Sequence, residues 1–208
     1  MDDRILKDVA DYYRGTVRRH GATAKGVDWN SEASQKLRFD QLLKIRQGQQ
    51  PFSINDYGCG YGALADYLLA ANEPVRYCGY DLEAEMVRLS RLRQREMVGC
   101  RFESDRSALG LADYTVASGV FNVKLSTSYA QWTTYMREIL DDMAAFSLRG
   151  FAFNALSSYS DPDRRRTDLY YADPRDVFDH CKRHFSDRVA LLHDYPLYEF
   201  TVLVRVGD

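Results

Sequence analysis

The sequence of 208 residues is poor in the features that mark membrane, secreted and nucleic-acid-binding proteins. No apolar run is long enough to span a bilayer and no charged-then-apolar leader opens it, so we expect a cytoplasmic protein without membrane association. Its 28 basic and 30 acidic residues nearly cancel, to a net charge of -2. Such a balance argues against a general nucleic-acid partner.

Cysteine is also scarce, and its placement excludes a metal-ligand motif. The four cysteines, Cys59, Cys78, Cys100 and Cys181, show no metal-ligand spacing. Without a secretion signal we expect reduced, buried thiols and no bound metal. No internal repeat, low-complexity tract or linker divides the chain. With 45% apolar residues, its length suits one α/β domain over residues 1–208.

The feature around which the chain is organised is a glycine-rich turn between a strand and a helix. An apolar run begins at Phe52, glycines follow at positions 58, 60 and 62, and a helical pattern starts at Ala63. Glycine permits a sharp turn and lets a ligand approach the backbone without meeting a Cβ atom. The free N–H groups and positive dipole end of the next helix favour a nucleotide-type ligand.

Strands and helices alternate after residue 50, which predicts a three-layer α/β fold around a mostly parallel sheet. Strands are predicted at residues 52–56, 75–80, 100–103, 114–118 and 151–156, and helices at residues 3–19, 31–46, 63 to about 72, 83–97, 129–147 and 174–184. A short connection makes the closing pair, residues 189–192 and 198–204, an antiparallel hairpin. Residues 1–48 are predicted to form a helical lid on a core of residues 50–208.

Polar residues stand at the ends of four predicted strands: Asp56, Asp81, Asp105 and Ser118. In an open α/β sheet the ligand binds beyond the carboxyl ends of the strands, so these side chains should meet in one crevice. Asp81 follows Gly58 by 23 residues, about the offset at which an acid binds ribose hydroxyls in dinucleotide folds.

The run Asp56-Tyr57-Gly58-Cys59-Gly60-Tyr61-Gly62 resembles the first motif of the class I S-adenosylmethionine-dependent methyltransferases. Asp81 resembles the acid of their second motif and Asp105 that of their third, and the closing hairpin resembles their reversed last strand. The likeness covers roughly residues 50–205. It implies a Rossmann-like seven-stranded sheet, methyltransferase activity, and S-adenosylmethionine as cofactor with S-adenosylhomocysteine as product.

The resemblance also implies roles for single residues. Gly58 and Gly60 would line the methionine part of the cofactor, and Asp56 would hold its amino end. Asp81 would take the two ribose hydroxyls, and Asp105 would face the adenine. The cofactor contacts expected from the core are Asp56, Tyr57, Gly58, Cys59, Gly60, Asp81, Leu82, Asp105, Ser118 and Gly119.

Two polar residues, Gln35 and Arg38, fall on the apolar face of the second predicted helix. Polar groups on a buried face need a partner. They could lie at the rim of the core or form a buried ion pair. Alternatively they contact the cofactor, with the Arg38 guanidinium making a bidentate contact with the cofactor carboxylate. Trp29 or Tyr61 could meet the sulfonium through a cation–π contact. Trp29 could equally cap the core from its loop.

The acceptor side of the site is less explicit. Pocket candidates are Tyr13, Trp29, Phe121, Asn122, Tyr170 and Tyr171. His193 is the histidine we weigh as a general base, although a lone histidine is more often structural. The arginines at positions 164–166 could bind a substrate phosphate or carboxylate. Aspartates flank that run, so we favour a solvated loop there.

The end of the fourth strand narrows the acceptor class. Ser118-Gly119-Val120-Phe121 lacks the Asn/Asp-Pro-Pro-aromatic signature of enzymes that methylate exocyclic amino groups. It also lacks the terminal aspartate of the metal-dependent catechol type. We therefore expect transfer to an O or N atom of a small-molecule acceptor, by a monomer or homodimer.

Three other functions stay open at this stage. The protein could bind S-adenosylmethionine without transferring its methyl group, or it could methylate protein or RNA. An NAD-dependent dehydrogenase would require a glycine spacing of two then three, whereas these glycines are evenly spaced.

Overall fold

The computed structural model describes residues 2–27, 29, 31–48, 51–94 and 99–207. Within them, seven strands form one sheet in the order β3-β2-β1-β4-β5-β7-β6. The strands are β1 (Phe52–Tyr57), β2 (Val75–Tyr80), β3 (Cys100–Glu103), β4 (Ala112–Ala117), β5 (Ser147–Leu156), β6 (Val189–Leu192) and β7 (Glu199–Arg205). Neighbours run parallel except beside β7, which lies antiparallel between β5 and β6. The predicted mostly parallel sheet with a reversed last strand is confirmed.

Helices cover both faces of this sheet. They are α1 (Asp3–His20), α2 (Glu32–Leu43), α3 (Ala63–Ala70), α4 (Ala84–Arg93), α5 (Tyr129–Ala145) and α6 (Pro174–His184). Side chains of α1, α5 and α6 join the core on one face. Those of α2, α3 and α4 join the core on the other. The result is the three-layer arrangement expected from alternating strands and helices.

Strand β5 illustrates how one sheet serves two cores. Phe151 and Phe153 belong to the core beneath α5 and α6, whereas Ala152 belongs to the core beneath α2 and α3. Successive side chains of a strand point to opposite faces. A strand covered on both sides is therefore apolar on both faces, and the run from Phe151 to Leu156 is apolar except for the buried Asn154.

Some element limits differ from those predicted. Helix α2 begins after Ser31, whose Oγ accepts from Ser34 N at 3.1 Å, but it ends at Leu43 instead of near Arg46. Strand β5 begins four residues earlier than predicted, because Ser147 pairs with Ala112 at the start of β4. The predicted helix over 83–97 is seen to Arg93, and its residues 95–97 lie outside the described residues.

The reversal of β7 brings one acid to the edge where ligands bind. Glu199, the first residue of β7, pairs with Leu156, the last residue of β5. Arg38 on α2 reaches this edge and donates from Nε to Glu199 Oε2 at 2.8 Å and from Nη2 to Oε1. Arg38 is 5% exposed and Glu199 2%. This buried, forked ion pair fixes α2 over the sheet.

We expect Arg38→Met to destabilise the protein, because it leaves the Glu199 carboxylate buried without a counter-charge. The free energy of unfolding in urea should fall by about 3–5 kcal/mol. The double variant Arg38→Met/Glu199→Gln should recover much of that loss, since it removes the charge as well. Arg88→Met, at an exposed pair with Glu85, is the matched control and should change stability little. Equal losses of stability in Arg38→Met and Arg88→Met would contradict a special role for the buried pair.

Candidate functional site

A cavity opens beyond the carboxyl ends of β1, β2 and β4, at the predicted glycine turn. Its empty volume, counted out to the mouth, is about 960 Å³. The turn residues 58–60, Asp56, Asp81 and Ser118 line it, as do apolar residues of α1. We call it the glycine-turn cavity. Three of the four predicted strand-end side chains thus share one crevice.

Asp81 is held by two backbone groups in this cavity. Its Oδ2 accepts from Gly60 N at 2.7 Å, and its Oδ1 accepts from Glu83 N at 2.9 Å. Burial raises the pKa of its carboxyl to about 6, although both backbone N–H groups favour the ionised form. Each oxygen keeps lone pairs for a further donor. The carboxylate is therefore oriented and able to accept hydroxyl groups of a ligand.

Asp56 lies deeper. It is 3% exposed, and its Oδ2 accepts from the Tyr77 hydroxyl at 2.6 Å. Burial raises its pKa to about 7, and the nearby Asp81 charge adds to the rise while the Tyr77 hydroxyl opposes it. Two acids in one desolvated cavity make it attractive to a cationic group.

The glycine turn closes against β2. The N–H groups of Gly58 and Cys59 both donate to Tyr80 O, at 2.8 and 2.9 Å. Gly58 has a φ of +80°, and a Cβ there would lie 2.5 Å from Val120 Cγ2. Only glycine meets both conditions, the left-handed conformation and the close approach.

On the other side of the cavity, Gly119 packs against an aromatic ring. Gly119 has a φ of +77°, and a Cβ there would lie 2.5 Å from Trp29 Cη2. Its N–H donates to Asn154 Oδ1 at 2.7 Å. The neighbouring Ser118 Oγ is buried with no hydrogen-bond partner among the described residues. A buried hydroxyl without a partner in a ligand-sized cavity is suited to a polar ligand group.

A second cavity adjoins the first. Its empty volume out to the mouth is about 830 Å³, and its charged lining residues are Arg38, Arg164, Arg166 and Glu199. We call it the arginine cavity. Four residues line both cavities: Tyr13, Val27, Trp29 and Gly119. The two cavities therefore meet where Trp29 covers Gly119.

The polar residues predicted on α2 divide between these cavities. Gln35 lines the glycine-turn cavity, where its Oε1 accepts from the Tyr61 hydroxyl at 2.9 Å. Arg38 lines the arginine cavity, and its guanidinium carbon lies 3.9 Å from the centre of a Trp29 ring. Of the alternatives left open for Arg38, the structure shows the buried ion pair, because Nε and Nη2 both donate to Glu199.

Two of the six predicted acceptor residues lie outside both cavities. Phe121 is fully buried and packs edge-to-face on Phe153. A turn closed by Asn122 N on Gly119 O, at 3.3 Å, places Phe121 in the core while Asn122 lines the arginine cavity. Tyr170 is 2% exposed and belongs to the core beneath α5 and α6. Its aromatic character serves packing.

The other four acceptor candidates line a cavity: Tyr13 and Trp29 line both, and Asn122 and Tyr171 line the arginine cavity. His193 does not line either one. It is exposed, and its ring lies 5.9 Å from that of Tyr159. This position gives no support to His193 as the candidate general base and fits the structural role that is more common for a lone histidine.

Asp105 lies apart from the other strand-end acids. It is exposed and caps a short turn, accepting from Ser107 N at 2.9 Å. It lines a shallow cleft together with Leu6 and Tyr80, which also line the glycine-turn cavity. The prediction is corrected to this extent: Asp105 stands on an adjoining rim.

Comparison with known proteins decides the family. A curated Mycobacterium tuberculosis protein named "Putative methyltransferase" is 51% identical over 163 residues, which cover 78% of this chain and 98% of that protein. The chain belongs to the S-adenosylmethionine-dependent methyltransferases of class I. No protein-family model matches it.

Solved structures show that the methyltransferase has the fold of that class. The N-methyltransferase NodS from Bradyrhizobium japonicum WM9, in complex with S-adenosyl-L-homocysteine, superposes with a TM-score of 0.66 at 16% identity, covering 94% of this chain and 98% of that one. Magnesium protoporphyrin IX methyltransferase from Synechocystis PCC 6803 with bound SAH gives 0.62 at 16% identity, covering 97% and 99%.

The predictions missed several residues that line the glycine-turn cavity. Glu83 lines the glycine-turn cavity, is 4% exposed, and forms an ion pair with Arg14 of α1 at 2.8 Å. Its position just before α4 is an acidic N-cap signal that could have drawn attention to it. Leu6 and Val9 of α1 also line the cavity. Their role depends on where α1 docks, which no local pattern specifies.

Other expectations concern metals, thiols and membranes. Among the described residues, no group of three or more His, Cys, Asp or Glu side chains could hold a metal ion. The four cysteines are free, and burial raises the pKa of the Cys59 thiol. No helix in the described part of the chain is long and apolar enough to cross a membrane.

We expect Gly119→Ala to displace Trp29, because the new Cβ would overlap its ring. The tryptophan emission should shift to the red as Trp29 gains water, while the fully buried Trp132 should contribute an unchanged signal. Gly48→Ala is the matched control, since Gly48 has a φ of +78° and nothing within 4 Å of its would-be Cβ. That control carries the same backbone cost, about 1–2 kcal/mol, without the clash. Identical emission from both variants would contradict the packing of Trp29 on Gly119.

Proposed function

We propose that this protein transfers the methyl group of S-adenosylmethionine to an O or N atom of a small-molecule acceptor. The observation that carries this proposal is the pair of cavities that meet at Trp29 and Gly119. One cavity contains the motif residues of the family, and the other leaves room for an acceptor. A transferase needs two such sites in contact, because the reacting atoms must approach to about 3–3.5 Å.

The residues of the glycine-turn cavity fit the cofactor. We propose that Asp81 accepts from the two ribose hydroxyls and that Asp56 lies near the amino end. Gly58 and Gly60 would let the methionine part approach the backbone, and the Ser118 hydroxyl offers a partner to a polar group. When bound, the cofactor supplies a methyl group activated by a sulfonium centre.

Further contacts complete this proposal. Tyr57, Cys59, Leu82, Gly119 and Gln35 line the same cavity and would contact the cofactor. Asp105 on the adjoining rim would reach only the outer end of the adenine. These assignments follow from the lining of the cavity and from the family motifs.

The remaining task of the protein is alignment and exclusion of water. We propose that residues 1–48 act as a lid, since α1 and α2 both contribute lining residues. The Arg14–Glu83 ion pair, at 2.8 Å, ties α1 to the start of α4. Tyr13 and Trp29 at the junction would orient the acceptor and keep water from the reacting atoms.

Thermal unfolding with added ligands tests the cofactor class. S-adenosylhomocysteine at about 100 times its Kd should add about 2.7 kcal/mol to the stability, and NAD should add none. Stabilisation by NAD alone would overturn the proposal. The acceptor class is tested by mass spectrometry of S-adenosylmethionine reactions with cell extract separated by size. New methylated products confined to the macromolecular fraction would favour a protein or RNA acceptor instead.

We also expect cofactor affinity to depend on pH through Asp81. Ribose hydroxyls donate to an ionised carboxylate, and the pKa of Asp81 in the protein without ligand is about 6. Affinity should therefore be high above pH 6 and fall as the pH decreases through 6, where the carboxyl gains its proton. Asp81→Asn should weaken binding about 10–100-fold and flatten this part of the profile.

The profile needs one control, because Asp56 has a pKa of about 7 in the same cavity. Isothermal titration calorimetry of S-adenosylhomocysteine from pH 5 to 8 should show a single step in Asp81→Asn, which belongs to Asp56 and lies at lower pH than in the natural protein because the Asp81 charge no longer raises its pKa. An unchanged profile in Asp81→Asn would remove Asp81 from the cofactor site. Asp163→Asn, at an exposed position outside both cavities, should leave the profile unaltered.

A further inference from the structure

The arginine cavity has an unusual charge for a protein whose net charge is -2. Three arginines and one glutamate are the charged residues that line it. Glu199 is fully engaged, because both of its oxygens accept from Arg38. The charge of Glu199 is therefore neutralised by Arg38, and Arg164 and Arg166 are the other charged residues of the lining.

Arg38 keeps one donor for a ligand. Its Nε and Nη2 are bonded to Glu199, but its Nη1 is buried and has no hydrogen-bond partner among the described residues. An unmet buried donor on a charged group is costly. The side chain is 7% exposed and lines the arginine cavity, so an acceptor atom of a bound molecule could satisfy it.

Asn122 presents the complementary group. Its Oδ1 is also buried without a partner in the described part of the chain, and the residue is 7% exposed. Its backbone is fixed, since Asn122 N donates to Gly119 O at 3.3 Å and Asn122 O accepts from Tyr170 N at 2.8 Å. A ligand in this cavity therefore meets a carboxamide on a fixed backbone, and the oxygen of that carboxamide still lacks a hydrogen-bond donor.

Arg164 and Arg166 supply charge on the exposed side of the cavity. Arg166 forms a bidentate ion pair with Asp168, in which Nε donates to Oδ1 at 3.0 Å and Nη2 donates to Oδ2. The charges of these two residues therefore largely cancel. Arg164 is exposed, and its guanidinium makes no hydrogen bond or ion pair with any residue the structure describes. The sequence favoured a solvated loop here, and residues 161–167 are indeed exposed. The fold also brings this loop to the rim of the cavity that Arg38 lines.

We infer that the arginine cavity binds a small anionic acceptor, a carboxylate or a phosphate ester, that also carries an O–H or N–H group. The oxyanion would accept from Arg38 Nη1 and from Arg164, and the O–H or N–H group would donate to Asn122 Oδ1. Arginine suits both oxyanions, because its planar fork matches their oxygen atoms. This inference rests on the proposed function, since it names the acceptor class of the same site.

Binding of matched probe pairs tests the inference. The carboxylate pair is 4-hydroxybenzoate with its neutral counterpart 4-hydroxybenzamide, and the phosphate pair is 4-hydroxyphenyl phosphate with its neutral dimethyl ester. Calorimetric titrations up to 20 mM are made on the free protein and on the protein saturated with S-adenosylhomocysteine. At least one anion should bind at least tenfold more tightly than its neutral partner. The pair that responds tells whether the oxyanion is a carboxylate or a phosphate.

Three variants locate the binding. Arg164→Gln should weaken the bound anion about fivefold to tenfold, and Asn122→Asp should weaken it more by placing a negative charge in the cavity at unchanged size. Arg76→Gln is the matched control for loss of charge. Arg76 is exposed near the start of β2, at the opposite end of the sheet, and its substitution should leave anion binding unchanged.

The possible results separate this inference from the proposed function. Equal binding of anion and neutral partner, no binding of either anion at 20 mM, or equal losses in Arg164→Gln and Arg76→Gln would overturn the anionic acceptor. Failure of S-adenosylhomocysteine to bind would overturn the proposed function. Anion binding in the free protein that responds to Arg164→Gln and Asn122→Asp would still establish the anion site in that case.

Discussion

The arrangement of the two cavities depends on the buried ion pair between Arg38 and Glu199. Such a pair adds little net stability over apolar residues of similar volume, since both ions lose their water. Its physical consequence is positional. Glu199 is 2% exposed, so any packing of α2 that withdrew Arg38 would leave a buried, unpaired carboxylate. The guanidinium also lies against Trp29, at 3.9 Å from a ring centre, and Trp29 covers Gly119. The boundary between the cavities therefore follows from where this pair forms.

The pair itself could not be derived from the local pattern, although one of its members was noticed. The phase of α2 indicated a buried polar residue at Arg38 and left an ion pair open as an explanation. Its partner is 161 residues away in sequence. Glu199 reaches the carboxyl edge only because β7 is inserted in reverse beside β5. Strand order and direction are properties of the whole sheet, so a single residue pattern carries no signal for this contact.

Much of the fold was predictable for the opposite reason, because its signals are local. The run Val75–Tyr80 is mostly apolar apart from Arg76, is preceded by Pro74 and is followed by an aspartate, and β2 has these same limits. The limits that differ are set by pairing or packing. Ser147 joins β5 because it pairs with Ala112, and nothing in its own neighbourhood indicates a strand. The glycine turn was also readable, since Gly58 must adopt a positive φ that other residues avoid.

The predicted meeting of Asp56 and Asp81 in one crevice agrees with the structure, whereas Asp105 stands on an adjoining rim and the aromatic candidates divide between cavity and core. Asp56 and Asp81 end parallel strands, and the geometry of such a sheet brings those ends together. Phe121 and Tyr171 look equally suited to a pocket wall in sequence, yet Phe121 is fully buried in the core. Aromatic side chains serve packing and recognition with the same chemistry. For Phe121, it is the turn between Gly119 and Asn122 that directs the side chain into the core.

Charged residues of opposite sign line the two cavities on either side of Trp29 and Gly119. Asp56 and Asp81 line one cavity and the arginines line the other, with Trp29 and Gly119 between them. Holding two carboxyls in a desolvated cavity raises their pKa values, to about 7 and about 6, so part of their charge is suppressed at neutral pH. Under the proposed function a sulfonium cation would favour the ionised carboxylates. A neutral thioether, left after methyl transfer, would favour them less. The acids would therefore hold the reactant more strongly than the product, and the same electrostatic arrangement would assist both binding and release.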